Sequence, residues 1–278
     1  MERADDEIPG GGSLAAGAVA IRSPADIRPA AIHVRDVAAR IANLRVAATD
    51  NIAARVPMRD EEGEVLATTV FAWDPDGAQW WQDVRFGLRA PVAEACRVES
   101  RPFWANRDGA RDRDGTPILR QFDFAAHYGR LVENPAGIVV PVHLPFSRIG
   151  MVSFSCRDNR RDDLSRELDE HFETLYLLGH LFIEGYARLE TGDRWLPDAV
   201  TLTRLEVNCL RWVARGKTDD EIATIMGRAR PTIRFHLQNA AIKLGAANRS
   251  QAVFRAGQLG YLSAGSAPQA PALTVVDR

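Results

Sequence analysis

The last quarter of the chain spells out four consecutive helices with start and stop signals, and this pattern leaves the fold of that segment little freedom. Three starts place a Thr or Asn three residues before a Glu or Gln: Thr203-Arg204-Leu205-Glu206, Thr218-Asp219-Asp220-Glu221 and Asn248-Arg249-Ser250-Gln251. In such a capping box the first side chain accepts from the third residue's amide and the third side chain answers it. The fourth start has Pro231 at the first helical position, where a missing N–H costs nothing. Gly216, Gly227, Gly245 and Gly260 each follow a helix, at the place where a left-handed residue ends one. The pattern predicts helices over 204–215, 219–226, 231–244 and 249–259. About three residues, Gly227 to Ala229, join the second to the third, the length of a helix-turn-helix connection.

Within the third helix Ile233, Leu237, Ala240 and Leu244 form an inward stripe, and Arg230, Arg234 and Gln238 fall on another face. Guanidinium and amide groups bond base edges in a bidentate way, so such a face suits a major groove. Lys217, Lys243 and Arg249 flank it, where they can hold phosphates. Charge supports a polyanion partner: residues 198–262 hold ten Lys/Arg against five Asp/Glu, although the whole chain of 278 residues carries a net −2. An exposed Arg/Gln face is by itself often only solvated. Helix-turn-helix spacing, four capped helices and local positive charge together point to double-stranded DNA.

The rest of the chain reads as a larger ligand-binding or dimerisation domain. Periodicity predicts an amphipathic helix over 30–49, a strand over 64–72, a short helix opened by Pro91, a strand over 102–105 and a helix over 117–130. Two apolar strands, Gly137–Leu144 and Gly150–Arg157, precede a long helix over 162–189. Helices outside and strands between give an α+β chain, an N-terminal α/β/α sandwich with a central antiparallel sheet linked to an all-α four-helix domain. The boundaries expected are a flexible arm over 1–29, the sandwich over 30–189, a linker over 190–201, the helix-turn-helix domain over 202–262 and a disordered tail over 263–278.

Several classes are disfavoured. Cys96, Cys156 and Cys209 are odd in number and form no CxxC pair, which argues against a disulfide framework or a cysteine zinc site and for a reducing cytoplasmic compartment. No run of about 18 apolar residues exists, so no membrane span is expected. Ser153, Ser155 and Cys156 lack a nucleophile elbow, and His127, His143, His171 and His180 show no metal-ligand spacing. The expectation is a non-enzyme without cofactor or metal.

Residues 202–262 resemble the DNA-binding domain of the LuxR/NarL-type regulators. The resemblance rests on Leu202-Thr203, Glu206, Leu210, Ala214, Gly216-Lys217-Thr218, Glu221-Ile222-Ala223, Thr232-Ile233, His236-Leu237 and Lys243-Leu244-Gly245. It implies that the third helix is the recognition helix and that Arg234 stands where some members carry a base-reading arginine. The DNA-contact set is then Arg230, Thr232, Arg234 and Gln238, with Lys217, Lys243 and Arg249. One departure is Ala229, where a capping side chain is common. A phosphorylated receiver at the N-terminus is not expected, because Asp5-Asp6 precedes no strand and residues 64–157 do not alternate regularly.

Residues 30–189 resemble, through Ala90-Pro91, Pro102-Phe103-Trp104, Ala125-Ala126-His127-Tyr128-Gly129 and Gly137-Ile138-Val139-Val140-Pro141-Val142, the autoinducer-binding domain of the quorum-sensing members. The resemblance implies a homodimer joined through helix 162–189 and a pocket for an acyl-homoserine lactone. It points to Trp73, Trp80, Trp81, Ala90, Phe103, Trp104 and Tyr128 as pocket residues, with either Phe103 or Trp104 at the aromatic position. The family's Asp-Pro pair, whose carboxylate accepts the ligand amide, is here Ala90-Pro91. Its tyrosine falls on Trp81, and its tryptophan on Gly77 unless a gap brings Trp80 or Trp73 there. A buried amide without its acceptor costs about 1–3 kcal/mol, on the order of a hundredfold in affinity. The reading is a DNA-binding regulator controlled by an apolar or aromatic ligand other than an ordinary lactone. A lactone receptor, and a ligand-independent regulator whose aromatic cluster merely fills the core, stay open. Expected partners are a pseudo-palindromic DNA site, a second copy of the chain and, for an activator, RNA polymerase, with no membrane.

Overall fold

The computed structural model describes residues 16–54, 56–74, 90–128, 135–190 and 201–262. Contacts divide the chain into two compact units, Met1–Leu144 with Arg148–Gly192, and Pro145–Ser147 with Asp193–Arg278.

In the first unit α1 (Ile27–Ala42) leads to β1 (Arg45–Thr49), α2 (Leu66–Thr69), α3 (Pro91–Ala95), β2 (Phe103–Asn106), β3 (Gly109–Arg111), β4 (Pro117–Ile118) and α4 (Phe124–Tyr128). There follow β5 (Ala136–His143), β6 (Ile149–Ser155), α5 (Ser165–Glu170) and α6 (Phe172–Glu190). The strands make one antiparallel sheet in the order β1-β6-β5-β2-β3-β4. It lies between helices, which is the sandwich expected.

Because side chains alternate across a strand, the register divides the sheet into two unlike faces. Val46, Ile138, Val140, Val152, Phe154 and Trp104 share one face with buried residues of α1 and α6, among them Val34, Leu175, Leu178 and Phe182. Phe103, Ala105, Ala110, Val139 and Met151 point the other way and pack with Val92, Ala93 and Cys96 around α3 and with Phe124 and Tyr128 of α4.

Four local expectations are corrected. The helix expected over 30–49 ends at Ala42, because Asn43 turns into the left-handed region at φ 51°, and the remaining segment, rich in small and β-branched residues, forms β1. The strand expected over 64–72 is the short helix α2. Its Thr68 and Thr69 hydroxyls donate back to the Val65 carbonyl at 3.0 and 2.9 Å, and such local bonds compete with a ladder. The helix expected over 117–130 is broken at Leu119, which has φ 56°, so only Phe124–Tyr128 is helical, capped by the Asp123 carboxylate accepting from the Ala126 amide. The long helix is interrupted at His171. The arm expected over 1–29 is structured where it is described: Val19 and Ile21 are buried in the main core, and α1 starts at Ile27. Residues 1–15 of that arm, most of the linker and the tail lie outside the described residues.

The second unit contains α7 (Arg204–Ala214), α8 (Asp219–Met226), α9 (Arg230–Lys243) and α10 (Arg249–Gln258), each within about a residue of its expected ends. The Thr203/Glu206 and Thr218/Glu221 boxes are closed in both directions. At the third start Asn248 accepts from the Gln251 amide as expected, but the Gln251 side chain accepts from the Ala247 amide, one residue earlier than a reciprocal box requires. Two apolar clusters fill the unit, one around Leu210, Ala240, Leu244 and Ala256, the other around Cys209, Ile222, Met226 and Ile233.

Gly150 sits on β6 where α6 and the end of β1 come closest. A Cβ there would lie 2.5 Å from the Ile183 side chain and 2.9 Å from the Thr49 carbonyl. The carbonyl belongs to a strand backbone and cannot step aside. Gly150→Ala is expected to destabilise the first unit by about 1–3 kcal/mol, the usual size of an overpacking penalty, read as a lower midpoint in chemical denaturation.

Candidate nucleic-acid interface and ligand face

The turn from α8 to α9 is Gly227, at φ 60°, followed by Arg228 and Ala229. Ala229 offers no capping side chain, and α9 starts instead with Arg230 and Pro231 at its first two positions, the compensation for the departure noted above. Ile233 and Ala240 are fully buried, which fixes the helix's rotation and turns Arg230, Arg234 and Gln238 outward. Thr232 is half-buried beside them.

The cations of the contact set differ in what they already hold. Lys217 Nζ is 2.9 Å from Glu221, Arg230 Nε 3.3 Å from Asp220 and Arg249 Nη1 2.6 Å from Asp219. These three cations and their surroundings line one open groove at the start of α8. Exposed pairs of this kind contribute about 0–1 kcal/mol, so a phosphate can displace the carboxylates at little cost. Arg234 is exposed and makes no ion pair among the described residues.

Lys243 is different. Its ammonium lies 2.8 Å from Oε2 of Glu206, whose side chain is 3% exposed, and the same carboxylate accepts from the Thr203 amide at 2.7 Å. The pair ties the end of α9 to the start of α7, so Lys243 is engaged in holding the fold. One exposed side chain of the helix escaped the sequence reading: Phe235 is 58% exposed, next to Arg234. Its signal was a large apolar residue off the inward stripe of an amphipathic helix. Apolar groups at such positions meet the methyl of thymine.

The seven pocket residues expected in the first unit do not share one surface. Ala90, Phe103 and Tyr128 belong to the cluster on the α3/α4 face. Trp104, the neighbour of Phe103 on the strand, belongs to the opposite core, where its ring lies 5.2 Å from the Arg111 guanidinium. Register thus decides between the two candidates: the aromatic side chain on the Ala90 face is Phe103, which has no N–H to donate. Trp73 packs at the edge of the sheet, donating from Nε1 to the Val46 carbonyl at 2.6 Å. Trp80 and Trp81 lie outside the described residues.

The Ala90 face has a floor of small side chains near its centre: Ala47, Ser153, Gly137 and Ala105 fall on it by register. Tyr128 reaches over this floor, its hydroxyl 3.0 Å from where a Cβ on Gly137 would stand, and Ser153 Oγ lies 3.4 Å from the same point. Burial raises the Tyr128 phenol well above its ordinary range. Burial also pushes the His127 imidazole down to about 4, so it is neutral at physiological pH. The Cys96 thiol is pushed up to about 12 by burial and is inert as a nucleophile. Among the described residues no cluster of His, Cys, Asp or Glu is able to hold a metal ion, and no helix is long and apolar enough to cross a membrane.

Residues 38–185 match the family described as the autoinducer binding domain, and residues 200–256 match the bacterial regulatory proteins of the luxR family. The chain is 35% identical over 128 residues to the transcriptional activator protein VanR of Vibrio anguillarum, a match that covers 46% of this chain and spans about half (52%) of that protein. It is 36% identical over 189 residues to the transcriptional activator protein PhzR of Pseudomonas fluorescens, covering 66% of this chain and 71% of PhzR. Over 64 residues, 23% of this chain and 25% of the relative, it is 55% identical to the HTH-type quorum sensing-dependent transcriptional regulator VjbR of Brucella abortus (strain 2308).

The buried Glu206 makes the second unit acid-sensitive. Burial opposes its ionisation, but Lys243 and the Thr203 amide outweigh that and hold its pKa below the ordinary 4.5. A depressed folded-state pKa gives stability that is present above the unfolded value and is lost as the pH falls through the folded one. The melting of the second unit should therefore drop below about pH 4.5. Lys243→Met should lower stability at neutral pH by about 1–3 kcal/mol, the cost of a buried acceptor losing its donor, and flatten that pH dependence. Thermal melts of the full chain between pH 3 and pH 7 check both effects.

Proposed function

We propose that this chain, which belongs to the LuxR family of bacterial regulators that join an autoinducer-binding domain to a helix-turn-helix domain, is a dimeric, sequence-specific transcription regulator controlled by a small ligand with an apolar body. The observation that carries the DNA reading is the free, exposed Arg234 in the middle of the outward face of α9, among cations held only by exposed pairs. Arg230, Thr232, Arg234 and Gln238 enter the major groove, with Phe235 alongside. Lys217 and Arg249 take phosphates once their carboxylates are displaced. Lys243 remains on Glu206 and acts through the fold.

A second copy of the chain meets the first along α6. Phe172, Tyr176 and His180 stack on one another at one-turn spacing, with centroids 6.2 and 4.0 Å apart, and Tyr176 and the neighbouring Leu177 are 39% and 38% exposed. A two-fold dimer reads two half-sites about one helical turn apart, hence a pseudo-palindromic site. RNA polymerase is the further partner if the regulator activates.

The ligand lies on the Ala90 face. A lactone amide finds no carboxylate at Ala90, and Phe103 offers no indole donor to a lactone carbonyl. Both changes favour a ligand other than an ordinary acyl-homoserine lactone. The lactone receptor is the second reading, favoured by the match to the autoinducer binding domain.

Two substitutions separate reading from holding. Arg234→Ala should weaken binding to the cognate site by about 1–3 kcal/mol and relax preference at one base pair. Lys217→Ala should weaken cognate and random DNA alike and reduce the salt slope by about one. Fluorescence anisotropy on both DNAs over a salt series measures this. An Arg234→Ala protein with unchanged site preference assigns recognition to another face.

A further inference from the structure

Register places a cation and several hydroxyls on the Ala90 face. Arg45 on β1 stands opposite Ser155 on β6, which stands opposite Gly137 on β5. The Tyr128 hydroxyl and Ser153 Oγ converge on that glycine. Four other half-buried arginines of this unit are paired, Arg28 with Asp60, Arg35 with Asp36, Arg148 with Asp50 and Arg161 with Glu167, while Arg111 lies over the Trp104 ring. Arg45 has no such acid among the described residues, and its Nε is buried without a hydrogen-bond partner. Its guanidinium carbon lies 4.7 Å from the centroid of the Trp73 ring, and Trp73, which packs against the α1/α6 core at the sheet edge, is fixed by its bond to the Val46 carbonyl. A guanidinium whose Nε–H edge is unsatisfied can take a carboxylate through two parallel bonds.

This polarity is the reverse of what a lactone amide requires. By the resemblance, the family's site offers a carboxylate to a ligand N–H; here that position is Ala90, and the charge on the face is a cation. A half-buried cation without a counter-charge is incompletely solvated, and an anionic ligand supplies one. We infer that the ligand of this face is a carboxylic acid with an apolar body, its carboxylate paired with Arg45 beside Trp73 and its body lying over the small floor towards Phe103 and Tyr128. This rests on the proposal that the first unit binds a small ligand, and goes further in assigning the ligand's charge and the residue that reads it.

The test uses the full chain at neutral pH and five probes below their micellar concentrations: decanoate and cinnamate, the methyl ester of each, and N-decanoyl-homoserine lactone. Titration calorimetry and thermal melts read binding, since a ligand of the folded state raises the midpoint. The expected result is that one acid binds at least about tenfold tighter than its own ester, in line with the strength of a charge-assisted pair. Decanoate or cinnamate then tells whether the body is a chain or a ring. Arg45→Met should erase the acid's advantage and leave ester affinity unchanged, and Arg45→Lys should restore part of it. If Arg45→Met does not fold, the acid-to-ester ratio of the unaltered protein still decides. Equal binding of acid and ester, or tightest binding of the lactone, overturns the acid assignment while a small-ligand regulator stands. Binding of none of the five overturns the assignment and the ligand reading together.

Discussion

The antiparallel ladder between β5 and β6 is what the first unit is organised around. It joins the two longest strands, and β1 and β2 extend it on either side. Both of its faces are covered by helices, so every inward position on either face must be filled. The two faces are filled differently. Towards α1 and α6 the side chains are mostly Val, Ile and Phe; towards α3 and α4 they include Gly137, Ala105, Ser153 and Ser155. A single strand thus separates a face of large apolar side chains from one whose floor is small. The period of two makes the separation strict, since a slip of one residue would exchange the faces.

In the second unit the comparable constraint is electrostatic. Glu206 is buried at a helix start and would be costly to keep charged on its own. The Thr203 amide and Lys243 make it tolerable, and in doing so they bind α9 to the first helix of the unit. The rigid placement of α9 follows from this lock and from Ile233 and Ala240 beneath it. Cations that touch nothing buried, such as Arg234, stay exposed on the outward face of α9. Two lysines that look alike in the sequence have separate tasks: Lys217 lies on an exposed carboxylate that can be exchanged for phosphate, and Lys243 on a buried one that cannot be given up cheaply.

Local signals made the second unit legible from the sequence. Capping boxes, Pro231 and four terminating glycines act within a few residues of themselves, so their meaning survives without knowledge of the tertiary contacts. Where local signals were weak, the sequence misled. Residues 64–72 are rich in Val and Thr, yet threonine hydroxyls bonded to the Val65 carbonyl make a helical turn there. Leu119 and His171 carry no mark in the sequence of the breaks they introduce.

The sequence by itself determined the two-part organisation, the ends of the four C-terminal helices, the outward Arg230/Arg234/Gln238 face and the loss of an acid at Ala90, because each is a matter of residue identity or short-range spacing. Only the tertiary structure decided that Phe103 and not Trp104 shares a face with Ala90, that Lys243 belongs to Glu206, and that Arg45 falls in register with Ser155 and Gly137. Those placements depend on strand register and helix docking between residues far apart in the chain, such as Phe103 with Val139 and Glu206 with Lys243. Packing fixes such distances only once the whole core is assembled.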